Sequence, residues 1–507
     1  MEIIMGNLTS LIYFAPEVFL SAFILMLLTG SFFLKQDQNT PTLFYPLGIA
    51  GLVLTLALEL VSRPGSLNSI EIFYGLLRAD SLGHLFKLLC LVSAILFMVF
   101  SLAARETAKR FYDSMEYVVL GLSMTLGMML LVAANNILML YLAMELLSFM
   151  SYLLTGFVDR DEKTTEAAVK YLLYGAVASG IMIYGFSLLY GMTGALDFAL
   201  IRDYLAHNQV SQPMLILTFA FILTGLGFKI AAFPFHLWSP DVYEGAPTAF
   251  SAFLSVGPKA AGFAVLVRVL YQVFGLGAGG EALPLYGFDW SFIIAIISAV
   301  TMTVGNLAAL PQRNIKRMLA YSSIAHAGYA LMAVASQSRF GVTALFFYLA
   351  VYLLMNLGAF LVAIMVANEY YTERLDGYEG LGWKGAQGAF LATMMAAALF
   401  SLAGIPPFAG FVGKVYLLLA ILKKGSAFYW LAVVAVINTV ISLYYYARVI
   451  KMMFLSNRIK GGNLSPMTAN RYVSYAVLAG LSGLTVLFGI YWTPLDALSR
   501  LAEKFLN

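Results

Sequence analysis

The sequence predicts an all-α membrane protein of about fourteen transmembrane helices, built on two inverted five-helix repeats that each contain a broken helix. Three observations predict it. Of 507 residues, 61% are hydrophobic and only 11% are charged, against roughly 25% charged in a soluble domain, which needs that polar surface to cover its core. The apolar residues fall into runs of about 20, the length that crosses roughly 30 Å of hydrocarbon. The seventh and twelfth runs also carry Pro234 and the Pro406–Pro407 pair, whose rings remove intrahelical hydrogen bonds.

In chain order the spans read 11–34, 43–61, 80–103, 115–134, 137–157, 167–191, 213–236, 247–273, 289–310, 316–337, 341–366, 389–423, 427–454 and 471–492. The first reads as a retained helix and not a cleaved leader, because its flank holds Glu2 and no Lys or Arg, and the run is too long. In the seventh, Pro234 leaves the carbonyl of Ile230 without its usual N–H partner. In the twelfth, Pro406 and Pro407 do the same to Leu402 and Ala403, and Gly404 and Gly410 loosen the turn. In lipid such freed groups need protein or water partners, so broken helices line hydrated cavities. Breaks at corresponding places in two halves are the mark of a transporter repeat. Spans four to eight and nine to thirteen are then the halves, each broken in its fourth member. An odd number of spans per unit makes the second copy inverted. The organisation that follows is a three-helix segment over 1–110, repeats over 111–280 and 281–460, and a last helix with a short tail over 461–507.

Loop charges set the topology, since Lys and Arg concentrate on the cytoplasmic side. With fourteen spans both chain ends share one face, and that face carries eight Lys and Arg, Arg63 among them. The other face carries fourteen, including Lys35, Arg105, Lys109, Arg110, Arg160, Arg458 and Lys460. The richer face should be cytoplasmic and the ends periplasmic. The net charge of +4 reflects this bias and points to no nucleic-acid partner.

The cofactor signals are few. Cys90 stands alone, whereas iron–sulfur and zinc sites need several ligands. No phosphate-loop or dinucleotide fingerprint is present, and His84, His207, His236 and His326 show no paired helical spacing. The chain is therefore expected to bind no cofactor and to draw its energy from another component.

What stands out is a set of ionisable groups inside spans, each costing at least about 2.5–3.5 kcal/mol at the bilayer centre. Glu145 lies in LYLAMELLSFMSYLL, Lys229 in LTGLGFKIAAFPFHLW, Lys259 in FLSVGPKAAGFAV, His326 in AYSSIAHAGYALM and Lys414 in SLAGIPPFAGFVGKVYL. Lys170, in EAAVKYLLYGA, is nearer a helix start, where a lysine can instead snorkel to the interface. A Glu145–Lys229 pair could serve only to fix packing, and His326 could be a satisfied core histidine. Lys259 resists such readings, being some twelve residues, or about 18 Å, from either end of its span. Glu17 and Arg268 also fall in spans and read as structural. Lysine can release its proton in a protein interior, so lysines beside hydrated breaks have the makings of a proton relay.

The strings GFKIAAFPFHLWSPDVYEGAPT, SVGPKAAGF, YFAPE, KYLLYGA, QRNIKRMLAYSSIAHAGY and SLAGIPPFAGFVGK resemble the antiporter-like subunits of proton-pumping NADH:quinone oxidoreductase, respiratory complex I. The resemblance runs over nearly the whole chain. Of the three types of such subunit, one would carry glutamate in place of Lys414. Another has a long lateral helix after its last span, where this chain stops about fifteen residues on. The YFAPE start and compact ends look bacterial, implying the cell inner membrane. The resemblance implies that Glu145 and Lys229 form a gating ion pair, Lys259 a central relay, His326 a hydrated link and Lys414 an exit-side lysine. Lys170 would modulate the pair or help conduct. It also implies that NADH, FMN, iron–sulfur clusters and quinone belong to partner subunits, with neighbouring antiporter-like subunits and the lipid bilayer around this chain. A subunit of a multi-subunit sodium/proton antiporter or membrane-bound hydrogenase is the alternative, since it shares the fold and several of these lysines.

Overall fold

The computed structural model describes residues 3–4, 6–31, 41–62, 69–104, 114–158, 162–275, 289–456 and 469–506. Glu2 and the loop cations Lys35, Arg63, Arg105, Lys109, Arg110, Arg160, Arg458 and Lys460 lie outside the described residues. Among the described residues, fourteen apolar helices, two of them broken, follow one another. They are α1 (Ala15–Ser31), α2 (Pro41–Val61), α3 (Ser81–Ala103), α4 (Ser114–Ala133), α5 (Ile137–Thr155) and α6 (Glu162–Thr193). Next come the broken α7 (α7a Gln212–Ile230, α7b Trp238–Gly245), α8 (Thr248–Arg268), α9 (Trp290–Ala309), α10 (Ile315–Ala335) and α11 (Arg339–Tyr370). The broken α12 (α12a Gly385–Ala403, α12b Ala409–Lys424), α13 (Tyr429–Leu455) and α14 (Ala469–Ile490) complete the set. Among the described residues thirteen helices are long and apolar enough to cross a membrane, and α1 adds a shorter apolar one.

Short polar side chains start several spans by satisfying the first free N–H groups. Asp80 caps α3, Asn136 α5, Asp289 α9, Asn314 α10 and Ser338 α11. The first two helices of each repeat meet through a glycine, which lets backbones approach closely. A Cβ on Gly127 of α4 would stand 2.9 Å from the Leu147 nitrogen of α5, and one on Gly305 of α9 would stand 2.5 Å from the Ala325 nitrogen of α10.

The breaks also match. Segment α7a closes on Ala231 (φ 56°) and α12a on Gly404 (φ 82°), both left-handed, which turns the chain off the helix axis. Groups beside the first break find protein partners. Phe233 N donates to Thr301 Oγ1 at 3.0 Å and Trp238 Nε1 to the Phe228 carbonyl at 3.0 Å.

The structure adds elements that apolar runs do not announce. Three short strands, β1 (Ile3–Ile4), β2 (Ile70–Ile72) and β3 (Leu77–Ala79), form a sheet in that order, β1 parallel and β3 antiparallel to β2. The segments beside helix ends can exchange backbone hydrogen bonds with water, so β-branched isoleucines there pair as strands. Bridges Leu77–Ala134 and Asn136–Asp197 tie loops of the face that bears the chain ends, and Asn314–Arg374 ties loops of the other.

Candidate functional site

Lys229 occupies the last turn of α7a, just before the left-handed cap, and is 2% exposed. Its Nζ donates to Ser148 Oγ of α5 at 3.1 Å. Helix α8 comes close alongside at Gly262, where a Cβ would stand 3.5 Å from Lys229 Cγ and 2.8 Å from Ile230 Cγ2. Glu145 is one turn before Ser148 on α5, but it lies on the helix's half-buried edge while Ser148 lies on its buried face. The Glu145 carboxylate accepts a hydrogen bond from Ser179 Oγ of α6, which is also 3.4 Å from the Tyr141 hydroxyl. The expected direct Glu145–Lys229 ion pair is absent. The carboxylate turns to α6, and the ammonium is left to a serine.

Lys259 sits at the middle of α8, every residue of which is buried. Its Nζ donates to Ser323 Oγ at 2.8 Å and to the Ser323 carbonyl at 3.1 Å, both on α10. Ser323, His326 and Tyr329 follow at three-residue spacing, so they share one face of α10 and rise about 9 Å along it. His326 is held from both sides. Its Nδ1 lies 2.6 Å from the Tyr348 hydroxyl of α11, and its Nε2 lies 3.2 Å from the Tyr446 hydroxyl of α13. The Tyr446 hydroxyl reaches Ser322 Oγ at 2.5 Å. The ring therefore meets hydroxyls, which can donate or accept, and not a backbone carbonyl.

Lys414 Nζ lies 4.7 Å from the centre of the Tyr329 ring and donates to the Ala403 carbonyl at 3.0 Å. That carbonyl is one the double proline frees, so the α12 break supplies the lysine's hydrogen-bond acceptor. Among the described residues, none of Lys229, Lys259 and Lys414 has a carboxylate oxygen within 4.0 Å. Each buried amine is held by neutral oxygens or ring faces alone.

Lys170 belongs to a different constellation. It is 2.6 Å from Glu166 and 2.8 Å from Asp241 of α7b, in an open cleft of about 170 Å³. Arg317 closes the cluster, with Nη1 2.6 Å from Asp241 and 3.1 Å from Glu244. Burial pushes the Asp241 carboxyl up, but hydrogen bonds from Lys170 and Arg317 and their charges outweigh it and hold it below the usual carboxylate range. The structure thus brings Lys259, His326 and Lys414 onto the partners of one α10 face. It places Lys229 beside them through α8, Glu145 at the α5–α6 edge, and Lys170 at a charged surface cleft.

The sequence reading missed Asp241, Arg317, the hydroxyls of Tyr348 and Tyr446, and Ser148 and Ser323. The Ser-Ser pair one turn before His326 was a readable sign. The tyrosines come from distant helices and left none. Arg268, read as structural, forks onto Asp80 at 2.7 and 2.6 Å and donates to the Val132 carbonyl at 2.8 Å. No three His, Cys, Asp or Glu side chains among the described residues are arranged to hold a metal ion.

Two broken helices around a row of buried lysines with no contacting carboxylate are the features of an antiporter-like membrane subunit. The comparisons agree. A family described as "NADH:quinone oxidoreductase/Mrp antiporter, TM" matches residues 134–442. NADH-quinone oxidoreductase subunit N 2 of Chloroherpeton thalassium is 40% identical over 495 residues, covering 97% of this chain and 94% of that one. A chain of respiratory complex I from Thermus thermophilus superposes with a TM-score of 0.76 at 31% identity, covering 95% of this chain and 98% of its own. A chain of the Mrp complex from Dietzia sp. DQ12-45-1b superposes with a TM-score of 0.80 at 22% identity, covering 98% and 97%, and shows the shared fold. The chain belongs to the antiporter-like family of NADH:quinone oxidoreductase membrane subunits, on its subunit N branch.

Proposed function

We propose that this chain translocates protons as a membrane subunit of an NADH:quinone oxidoreductase, with quinone reduction in partner subunits supplying the energy. The redox groups, NADH, FMN, iron–sulfur clusters and quinone, belong to those partners, and this chain holds none. The observation that carries the reading is that no counter-ion touches these lysines. Three buried lysines rest on serine hydroxyls, backbone carbonyls and a tyrosine ring, with no carboxylate within 4.0 Å among the described residues. A packing charge in lipid normally carries its partner with it. A lysine held by neutral oxygens keeps its hydrogen-bonding partners whether or not its amine holds a proton.

The proposed path runs between Lys229 and Lys259 on adjacent helices, then through Ser323 to His326 and its two tyrosines, and on to Lys414. Glu145, at the half-buried α5–α6 edge, faces a neighbouring membrane subunit and passes protons laterally. The Asp241 cleft, on the face richer in Lys and Arg, is the cytoplasmic approach, and Lys170 acts there. Asn356 Oδ1, a buried polar atom without a protein partner, is suited to water along this path. In this reading both chain ends lie on the periplasmic side of a bacterial inner membrane, which the loop charges support, and the units 111–280 and 281–460 are the two repeats.

His326→Ala tests the reading in the whole complex. Proton uptake into sealed vesicles driven by NADH should fall severalfold while the complex still assembles on native gels. Undiminished uptake would retire His326 from the path.

A further inference from the structure

A second ionic network lies outside this path, in α1–α3. Glu17 of α1 is fully buried, Lys87 of α3 is 7% exposed and Glu59 of α2 is 5% exposed. Lys87 Nζ stands 2.6 Å from Glu17 Oε1 and 3.8 Å from Glu59 Oε2. Glu59 Oε1 is 2.8 Å from His84 Nδ1, and the His84 side chain is 12% exposed. The four groups form one line, from a sealed carboxylate to an imidazole that water can touch.

All four sit toward the face bearing the chain ends. Glu17 is the third residue of α1, Glu59 is the third from the end of α2, and His84 is the fourth of α3. Lys87 is the cation that meets the Glu17 carboxylate, through Oε1.

The charges do not balance. Two carboxylates face one ammonium, so without a further cation the cluster holds a net negative charge in the protein interior, where unpaired charge is expensive. The nearest outside cations are engaged elsewhere: Arg78 of β3, which packs against α3, donates to Ser69 Oγ at 2.8 Å and stands opposite Glu71 across the strand pair. Asp80 precedes α3 and is closed by Arg268 of α8. On other elements packed against α3, Glu503 accepts from Thr343 at the terminal turn, and Glu369 of α11 is taken by Arg471 of α14. Glu116 stands in the first turn of α4, Lys504 in the terminal turn and Arg339 at the start of α11. Lys87, standing between the carboxylates, occupies the place a metal cation would need. A proton needs no such space.

We propose that Glu17, Lys87, Glu59 and His84 form a second proton-holding site. It takes one exchangeable proton per chain from the face of the chain ends through His84. The bound proton sits on the Glu59–His84 pair or on Glu17 and leaves the cluster neutral. Release goes back along the same line, with Lys87 keeping the carboxylates together. The site stands independently of the translocation path.

The test is infrared difference spectroscopy of the full chain in lipid nanodiscs, between mildly acidic and mildly alkaline buffer. The wild type should lose one proton per chain more in the carboxylic or imidazole bands than either Glu17→Gln or Glu59→Gln, since each substitution removes the surplus charge. His84→Gln should keep the proton and shift it wholly to the carboxylic band, a result a misfolded variant would not give. Wild-type and glutamine-variant spectra that superimpose would overturn the proposal. So would a wild-type signal that follows sodium at fixed pH.

Discussion

Lys229, Lys259 and Lys414 are each held by oxygens that carry no charge, whereas Arg268 is locked to Asp80 by two short bonds. The first arrangement lets a side chain change protonation, and the second fixes a charge in place. Glu145→Gln tests the lateral end of the row. It keeps an acceptor for Ser179 but removes the ionisable group, so proton uptake should fall severalfold with assembly intact. Loss of assembly alone would assign Glu145 to packing. Asp241 makes a pH prediction. Its carboxyl is held below the usual range, so the stability it contributes is complete above about pH 4, the unfolded value, and disappears as pH falls through the folded one. Thermal melts of the complex should separate wild type from Asp241→Asn at neutral pH and converge in strong acid. A gap unchanged in acid would contradict this. The buried lysines were legible because charge in an apolar run is conspicuous. Their partners were not, because Ser148 and Ser323 look like ordinary helix serines until α7a and α8 are set against them.

At the scale of elements, the broken helices do the positioning. Gly404 turns α12a out of its helix at φ 82°, and a Cβ there would stand 2.8 Å from Lys414 Cδ. Gly404→Ala should cost about 1–2 kcal/mol for the left-handed backbone and displace Lys414 from the Ala403 carbonyl, lowering proton uptake more than assembly. Gly410 is tighter, since a Cβ would fall 1.8 Å from the Ser401 carbonyl oxygen. Gly410→Ala should therefore prevent α12b from docking, and assembly should be lost. Near-wild-type assembly and uptake in Gly410→Ala would show that the break is adaptable. Both breaks were readable from Pro234, Pro406 and Pro407, because proline's missing N–H is a local property. Which way the chain turns afterwards was not, since Ala231 adopts the left-handed form by tertiary constraint and not by propensity.

The whole molecule joins these parts into fourteen spans whose lysine row crosses both repeats. The span count was legible because hydrocarbon thickness sets a length that composition reveals, while the strands β1–β3 were not, because pairings of two or three residues leave too little alternation to read. The missing Glu145–Lys229 contact has the same origin. Periodicity places both residues in spans, but only packing decides that Glu145 faces α6. Purification of the native complex should recover this chain with flavin- and iron–sulfur-bearing subunits; recovery with other antiporter subunits alone would favour the sodium/proton reading. The central claim is that the buried lysines must release their protons in each cycle. Arginine keeps the charge and a similar reach, but stays protonated in proteins because its pKa exceeds about 12. The deciding measurement is NADH-driven proton uptake into sealed vesicles carrying Lys229→Arg or Lys259→Arg, with assembly checked on native gels. Assembled complexes whose uptake falls more than about tenfold are expected, a barrier increase above about 1.4 kcal/mol. Wild-type uptake in both variants would contradict the claim and leave the lysines as packing charges.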